Sequence, residues 1–156
     1  MKTSATSKET FHRSESPEQT MAIGKSLADF HPDGACFYLD GDLGAGKTLL
    51  AKGIASGYGV EPDRVVSPTF ALVNRYSGGS YVVYHIDLYR IENERELYEL
   101  GLEELEDEVE GRCAAMIVEW PRKLDELGHG FRSAAVWIHL EVLDERTREI
   151  RVSEPE

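Results

Sequence analysis

A chain of 156 residues can bury one substantial core, and a single domain is the natural expectation. Seventeen Lys and Arg against twenty-nine Asp and Glu leave a formal net charge of −12, which argues against a protein that grips nucleic acid through its own phosphate contacts. No apolar stretch reaches the length of a membrane span and the first residues lack the apolar core of a secretory leader, so a soluble, cytoplasmic protein with no membrane partner is expected.

Residues 1–13 are polar and aperiodic and read as a disordered tail, with one domain over residues 14–156. Ser16-Pro17-Glu18-Gln19 has the features of a helix start: Ser16 caps, Pro17 takes the first helical position and Gln19 closes a capping box. Ile23, Leu27 and Phe30 mark the buried stripe of that helix, whose start can lie near a ligand base. His31-Pro32-Asp33-Gly34 turns the chain into Ala35-Cys36-Phe37-Tyr38-Leu39, a short apolar run with the character of a buried strand. Cys36 and Cys113 both lie in apolar runs, which predicts reduced core residues and neither a disulfide nor a metal site.

The strand leads into Gly41-Asp42-Leu43-Gly44-Ala45-Gly46-Lys47-Thr48, a complete match to G-x-x-x-x-G-K-(S/T). Leu49, Leu50, Ile54 and Tyr58 then recur at helical spacing until Gly57 and Gly59 stop the pattern. In such a strand–loop–helix the glycines leave room for a phosphate, and the amides of the loop and first helical turn converge on it. A bare glycine-rich turn would meet the pattern only by coincidence. The implied ligand is a nucleoside triphosphate bound by Asp42, Leu43, Gly44, Ala45, Gly46, Lys47, Thr48 and Leu49, with Lys47 at the outer phosphates and Thr48 on Mg²⁺.

Ser67-Pro68-Thr69-Phe70 follows as loop, because Pro68 forces extended backbone at Ser67. Leu72 to Tyr76 and Tyr81 to Asp87 alternate, and the intervening Ser77-Gly78-Gly79-Ser80 makes them a β-hairpin. From Glu92 to Glu110 the chain is densely acidic and helical: Asn93 and Glu96 form a capping box, Gly101 ends the first helix, and Leu102, Leu105 and Val109 mark a second. Its acids form a solvated face, or alternatively a dock for a basic partner. Ala114 to Val118 is apolar without alternation, as in a strand buried on both faces, and ends in Glu119-Trp120-Pro121. Ala134 to Leu143 and Arg146 to Val152 form a terminal hairpin around Asp144-Glu145. The expected architecture is α/β: one P-loop NTPase-like domain, a mixed central sheet flanked by helices.

Two strands end in carboxylates, at Asp87 and Glu119. Parallel sheets place ligands at the carboxyl ends of their strands, which makes Glu119 the expected Mg²⁺ partner. Asp87 ends an alternating strand further out, where it would orient water, or else serve as a turn or cap residue. His85 shares a strand face with Asp87 and is either part of the site or a structural histidine; Trp120 either packs or gates.

Together the phosphate loop, Ser67-Pro68-Thr69-Phe70, His85-Ile86-Asp87-Leu88-Tyr89-Arg90 and Glu119-Trp120-Pro121, in that order, resemble the bacterial TsaE family of small P-loop ATPases, from about Ser16 to Leu124. The resemblance implies ATP and Mg²⁺ as cofactors and a role in making threonylcarbamoyladenosine in tRNA. It implies an ATPase that acts on a complex of TsaD and TsaB, with tRNA reached only through those partners. Functional positions carried over by it are the phosphate loop, Thr48, Asp87 and Glu119, with Lys47 and Asp87 catalytic and Ser67 to Phe70 switch-like. A small-molecule kinase is the first alternative, although its candidate lid offers Arg95 among carboxylates that would repel an anionic acceptor. A GTPase would need an Asn-Lys-x-Asp segment, which is missing; a nucleotide-sensing module with negligible turnover is the other alternative. Arg75, Arg90 and Arg122 are available as arginine fingers, with none assignable.

Overall fold

A computed structural model of the chain describes residues 7–68, 72–111 and 113–155. One seven-stranded sheet organises it. In chain order the strands are β1 (Ser7–Ser14), β2 (Cys36–Asp40), β3 (Val73–Gly78), β4 (Tyr81–Asp87), β5 (Ala114–Glu119), β6 (Val136–Val142) and β7 (Arg148–Pro155), and their spatial order is β1-β7-β6-β2-β5-β4-β3. β6, β2, β5 and β4 run parallel in the centre, while β3, β7 and β1 pair antiparallel at the flanks. The sheet is therefore mixed, as expected.

β1 corrects the sequence reading of residues 1–13. From Ser7 onward the segment pairs with β7 in continuous register, Ser7 opposite Pro155 through Ser14 opposite Arg148. Its polar, charged side chains hide the strand from any hydrophobic pattern, because the pairing is made by backbone at a sheet edge.

α1 (Pro17–Asp29) begins as its sequence predicts: Ser16 Oγ accepts from the Gln19 N–H at 3.1 Å. Gln19 reaches back one residue further than a simple box, to the Glu15 N–H at 2.7 Å. Its buried face is Thr20, Gly24, Leu27 and Ala28; Phe30, expected in that stripe, is 74% exposed. The small residues explain the change. α1 lies against α2 (Lys47–Gly57) so closely that a Cβ on Gly53 would come within 2.1 Å of the Met21 carbonyl oxygen, and one on Gly24 within 2.6 Å of Leu50 O.

These two helices cover one sheet face, burying Leu50, Ile54, Phe37, Leu39, Val83 and Ile117 in a common core. The opposite face is covered by α3 (Glu94–Glu99), α4 (Leu102–Glu110) and α5 (Arg122–Glu126), with Leu97, Leu102 and Leu124 packed against Tyr38, Met116 and Val118. Asn93 caps α3 by accepting from the Glu96 N–H at 2.9 Å, and Gly101, at φ +69°, separates it from α4. Cys36 is buried in this second core, where burial raises its thiol pKa to about 12. Cys113 is exposed in a left-handed bend at φ +62°, contrary to the core position expected. It precedes β5, outside the apolar run proper.

Candidate functional site

The phosphate-loop sequence lies between β2 and α2. β2 is buried in mid-sheet and stops at Asp40; the chain then turns through Gly44 at φ +81° and Gly46 at φ +105°, backbone that side chains with a Cβ rarely adopt. A Cβ on Gly44 would stand in open space, so glycine here keeps the concave face of the loop clear. Gly46 is the N-cap of α2 and supplies no side-chain cap. The first amides of an eleven-residue helix are thus left for an anion, with the positive end of the helix dipole behind them. The residues present fit a phosphate chain.

Lys47 is only 5% exposed and arches over its own loop. Its Nζ donates to Gly41 O at 2.5 Å and Asp42 O at 2.9 Å and stands 4.3 Å from the centroid of the Trp120 ring. Burial pulls its pKa below the usual lysine range, opposed by the carboxylates of Glu119, Asp87, Asp40 and Asp42. Thr48 Oγ1 is 2.8 Å from Ser67 Oγ, which brings the first residue of the Ser-Pro-Thr-Phe segment to the loop. Lys52 secures the approach to that segment by donating to Pro62 O at 3.1 Å and Val65 O at 2.6 Å. Thr69 and Phe70 lie outside the described residues. Of the expected loop contacts, Ala45 is buried and Leu49 half-buried, while Asp42 and Leu43 are exposed.

Both candidate acids arrive at the same edge. β4 and β5 are parallel neighbours in which Asp87 is the register partner of Glu119, one strand further from β2. Glu119 is 3% exposed, and its Oε2 meets His85 Nε2 at 2.5 Å. His85 is fully buried, and its Nδ1 has no partner among the described residues. Asp87 is half-buried and accepts the Tyr89 N–H at 3.0 Å, so the turn-capping role and the site position coincide in one residue. Desolvation raises the Asp87 carboxyl pKa, and the Glu119 charge adds to the rise. Leu88 N–H donates to Glu119 O at 3.1 Å, fastening the two strand ends together.

Trp120 follows at φ +60°, a costly conformation for a bulky residue, and packs at a tilt of 45° against Tyr89 with centroids 4.9 Å apart. It packs at once against the edge of the second core and on the lysine of the loop. Among the described residues no group of three His, Cys, Asp or Glu side chains suits a protein-only metal site. The Thr48 hydroxyl and Glu119 would fit the sparse, hard-oxygen donor set by which Mg²⁺ is held jointly with phosphates.

Several neighbours carry no motif. Asp40 Oδ2 accepts from Arg122 Nε and Nη2 at 3.1 and 2.9 Å and lies 3.1 Å from His139 Nδ1, which engages one of the arginine-finger candidates at the base of the loop. Arg148, the first residue of β7, donates to Ala45 O at 3.2 Å and Gly44 O at 3.4 Å. A cavity of about 310 Å³ opens beside these atoms, lined by Ser16, Thr20, Gly44, Leu49, Arg146 and Arg148. The start of α1 and the terminal hairpin therefore meet the loop. Sequence separations of 82 residues for Arg122 and 103 and 104 for Arg148 hid these contacts.

The family model for threonylcarbamoyl adenosine biosynthesis protein TsaE matches residues 14–150. The chain is 44% identical over 115 residues to the tRNA threonylcarbamoyladenosine biosynthesis protein TsaE of Bacillus subtilis, an alignment spanning 73% of this chain and 68% of the relative. Against the protein of the same description from Rickettsia felis it is 35% identical over 131 residues, 84% of this chain and 72% of that one. The crystal structure of Bacillus subtilis YdiB superposes with a TM-score of 0.72 at 29% identity, covering 98% of this chain and 90% of the other. Fold, family profile and relatives agree over nearly the whole chain, which belongs to the TsaE family of tRNA threonylcarbamoyladenosine biosynthesis proteins.

Proposed function

We propose that this protein is a Mg²⁺-dependent ATPase that acts in the cytoplasm on the TsaD–TsaB complex during tRNA threonylcarbamoyladenosine formation. One observation carries the reading: Lys47 and Thr48 begin a helix that faces the register-paired carboxylates Asp87 and Glu119. In this reading the loop amides hold the phosphates, and Lys47 leaves Gly41 O and Asp42 O to neutralise the outer ones. Thr48 and Glu119 hold Mg²⁺, which offsets phosphate charge when bound. Asp87 orients the attacking water, and its raised pKa makes it a stronger base than an ordinary carboxylate. Slow turnover by the protein alone is expected, since none of Arg75, Arg90 and Arg122 is assignable as an arginine finger and Arg122 is engaged on Asp40. The net charge of −12 supports a division of labour in which partners hold the tRNA.

Phosphate release and tRNA modification, measured with and without TsaD–TsaB, test the proposal. Slow hydrolysis alone, with repeated rounds of modification by TsaD–TsaB only when this protein is added, is the expected result. Lys47→Ala should remain folded and lose most ATP binding and turnover. Normal hydrolysis by that variant, or unchanged multiple-turnover modification in the protein's absence, would overturn the reading.

A further inference from the structure

The terminal hairpin carries none of the motif blocks, although the family model extends over it to residue 150, and it reaches the most sensitive part of the loop. Arg148 spreads its guanidinium over four backbone carbonyls: Ala45 O and Gly44 O in the loop, at 3.2 and 3.4 Å, and Asp144 O and Thr147 O in the hairpin turn, at 2.9 and 3.2 Å. The turn is itself braced, because Asp144 Oδ1 accepts the N–H groups of Arg146 and Thr147 at 2.9 and 2.8 Å. β7 is held between β6 and β1 from Arg148 to Ser153, so the arginine projects from a strand paired on both sides.

The two loop peptides it grips are flanked by left-handed glycines, Gly44 and Gly46. Glycine-flanked peptide planes rotate at little steric cost. The Gly44–Ala45 plane is also tied within the loop, because the Ala45 N–H donates to Asp42 O at 3.0 Å, so the Ala45–Gly46 plane is the one that depends most on the arginine. A planar trans peptide places its N–H opposite its C=O. When Arg148 holds Ala45 O on the hairpin side, the Gly46 amide is aimed away from it, at the start of α2. The planar fork of an arginine can fix two successive carbonyls at once, which a lysine's point charge cannot.

We propose that Arg148 is a positioning residue that preorganises the phosphate loop, so that affinity for the phosphate chain depends on the terminal hairpin. This rests on the nucleotide-binding reading of the loop. Without the fork, binding must order the glycine-flanked peptides, and that cost appears as lost affinity.

The test compares wild type with Arg148→Ala and Arg148→Lys by amide hydrogen exchange without ligand, by calorimetric titration with Mg·ATP and with inorganic triphosphate, and by thermal melting. Expected for Arg148→Ala are faster exchange at residues 44–46, a melting temperature close to wild type, and roughly tenfold weaker binding of both ligands. Arg148→Lys should behave like Arg148→Ala, since charge without the fork does not fix two carbonyls. Unchanged exchange at residues 44–46, or full rescue by lysine, would overturn the proposal. Weakened ATP binding with undiminished binding of inorganic triphosphate would also overturn it, by making Arg148 a contact to base or ribose. Should wild type bind neither ligand, the nucleotide reading itself fails, and the affinity claim with it. The exchange measurement separates that case, because it still reports whether the arginine orders the loop.

Discussion

At the scale of single residues, the division of work between Asp87 and Glu119 rests on their surroundings. Glu119 is buried and held by His85, so its position is set before any ligand arrives. Asp87 is half-exposed, with one oxygen engaged by the Tyr89 N–H. Glu119→Ala is expected to raise the Mg²⁺ concentration needed for ATP binding by at least the roughly tenfold that displaced outer partners of metal sites cost. Asp87→Ala should bind Mg·ATP nearly normally and hydrolyse it on the order of 10²-fold more slowly. Mg²⁺ titrations of both variants, by binding and by phosphate release with TsaD–TsaB present, decide the assignment; the reverse pattern moves the metal to Asp87. Glu119→Ala also strips the buried His85 ring of its one hydrogen-bond partner among the described residues, so a loss of about 1–3 kcal/mol in stability should accompany it. Glu119→Gln retains an acceptor for His85 and separates the two effects. Asp87 carries a further prediction. Its carboxyl pKa is raised by desolvation, so between the ordinary carboxylate pKa and the raised one the folded state binds more protons than the unfolded state. Stability from this group is therefore lost as pH rises through that window. Asp87→Asn, which retains the acceptor for Tyr89, should melt higher than wild type at neutral pH, with the advantage shrinking as pH falls towards 4.

At the scale of elements, the approach of α1 to α2 fixes what lies around the loop. Gly24, Gly53 and Gly57 let the helix backbones touch, which brings the start of α1, with Ser16 and Thr20, to the cavity beside Gly44 and Arg148. Gly53→Ala places a methyl within 2.1 Å of a backbone oxygen that cannot swing aside. The helices must separate, and a loss of about 1–3 kcal/mol is expected for such overpacking, despite alanine's better helix propensity. Denaturant unfolding measures it. Because α2 carries Lys47 and Thr48 at its start, weaker ATP binding should follow in the same variant.

At the scale of the whole molecule, charge and topology bear on the reading in different ways. Four parallel strands bring their carboxyl ends to one edge of the sheet, and the loop, Asp87 and Glu119 all stand on that edge. The net charge of −12 opposes a polyanion as large as tRNA overall. The isolated protein should therefore fail to retain tRNA in a mobility-shift titration at physiological salt, and lowering the salt should not create strong binding. Tight tRNA binding by the isolated chain would contradict the division of labour proposed above.

What could be read from the chain alone was whatever depends on neighbours in sequence. A phosphate loop is eight consecutive residues, a capping box four, and a hairpin two alternating runs around glycines. The loop, the starts of α1 and α3, and the β3–β4 hairpin were legible for that reason, and so was the fully apolar β5 ending in Glu119. Asp87 does lie further out, one strand beyond Glu119 in register, but the alternation expected of its strand is not there: β4 is buried at four successive positions, because it is paired on both sides. What only the tertiary structure decided was set by backbone pairing and by contacts between distant segments. β1 is polar and visible only through its pairing with β7; Phe30 lost the buried stripe to Gly24 and Ala28 because an adjacent helix demands small residues. His85 became the partner of Glu119, 34 positions away, and Arg148 the support of a loop more than a hundred residues earlier. Neither contact has a sequence signature, because an imidazole or a guanidinium is directed by the strand that carries it, and the position of that strand is settled only when the sheet closes around its core.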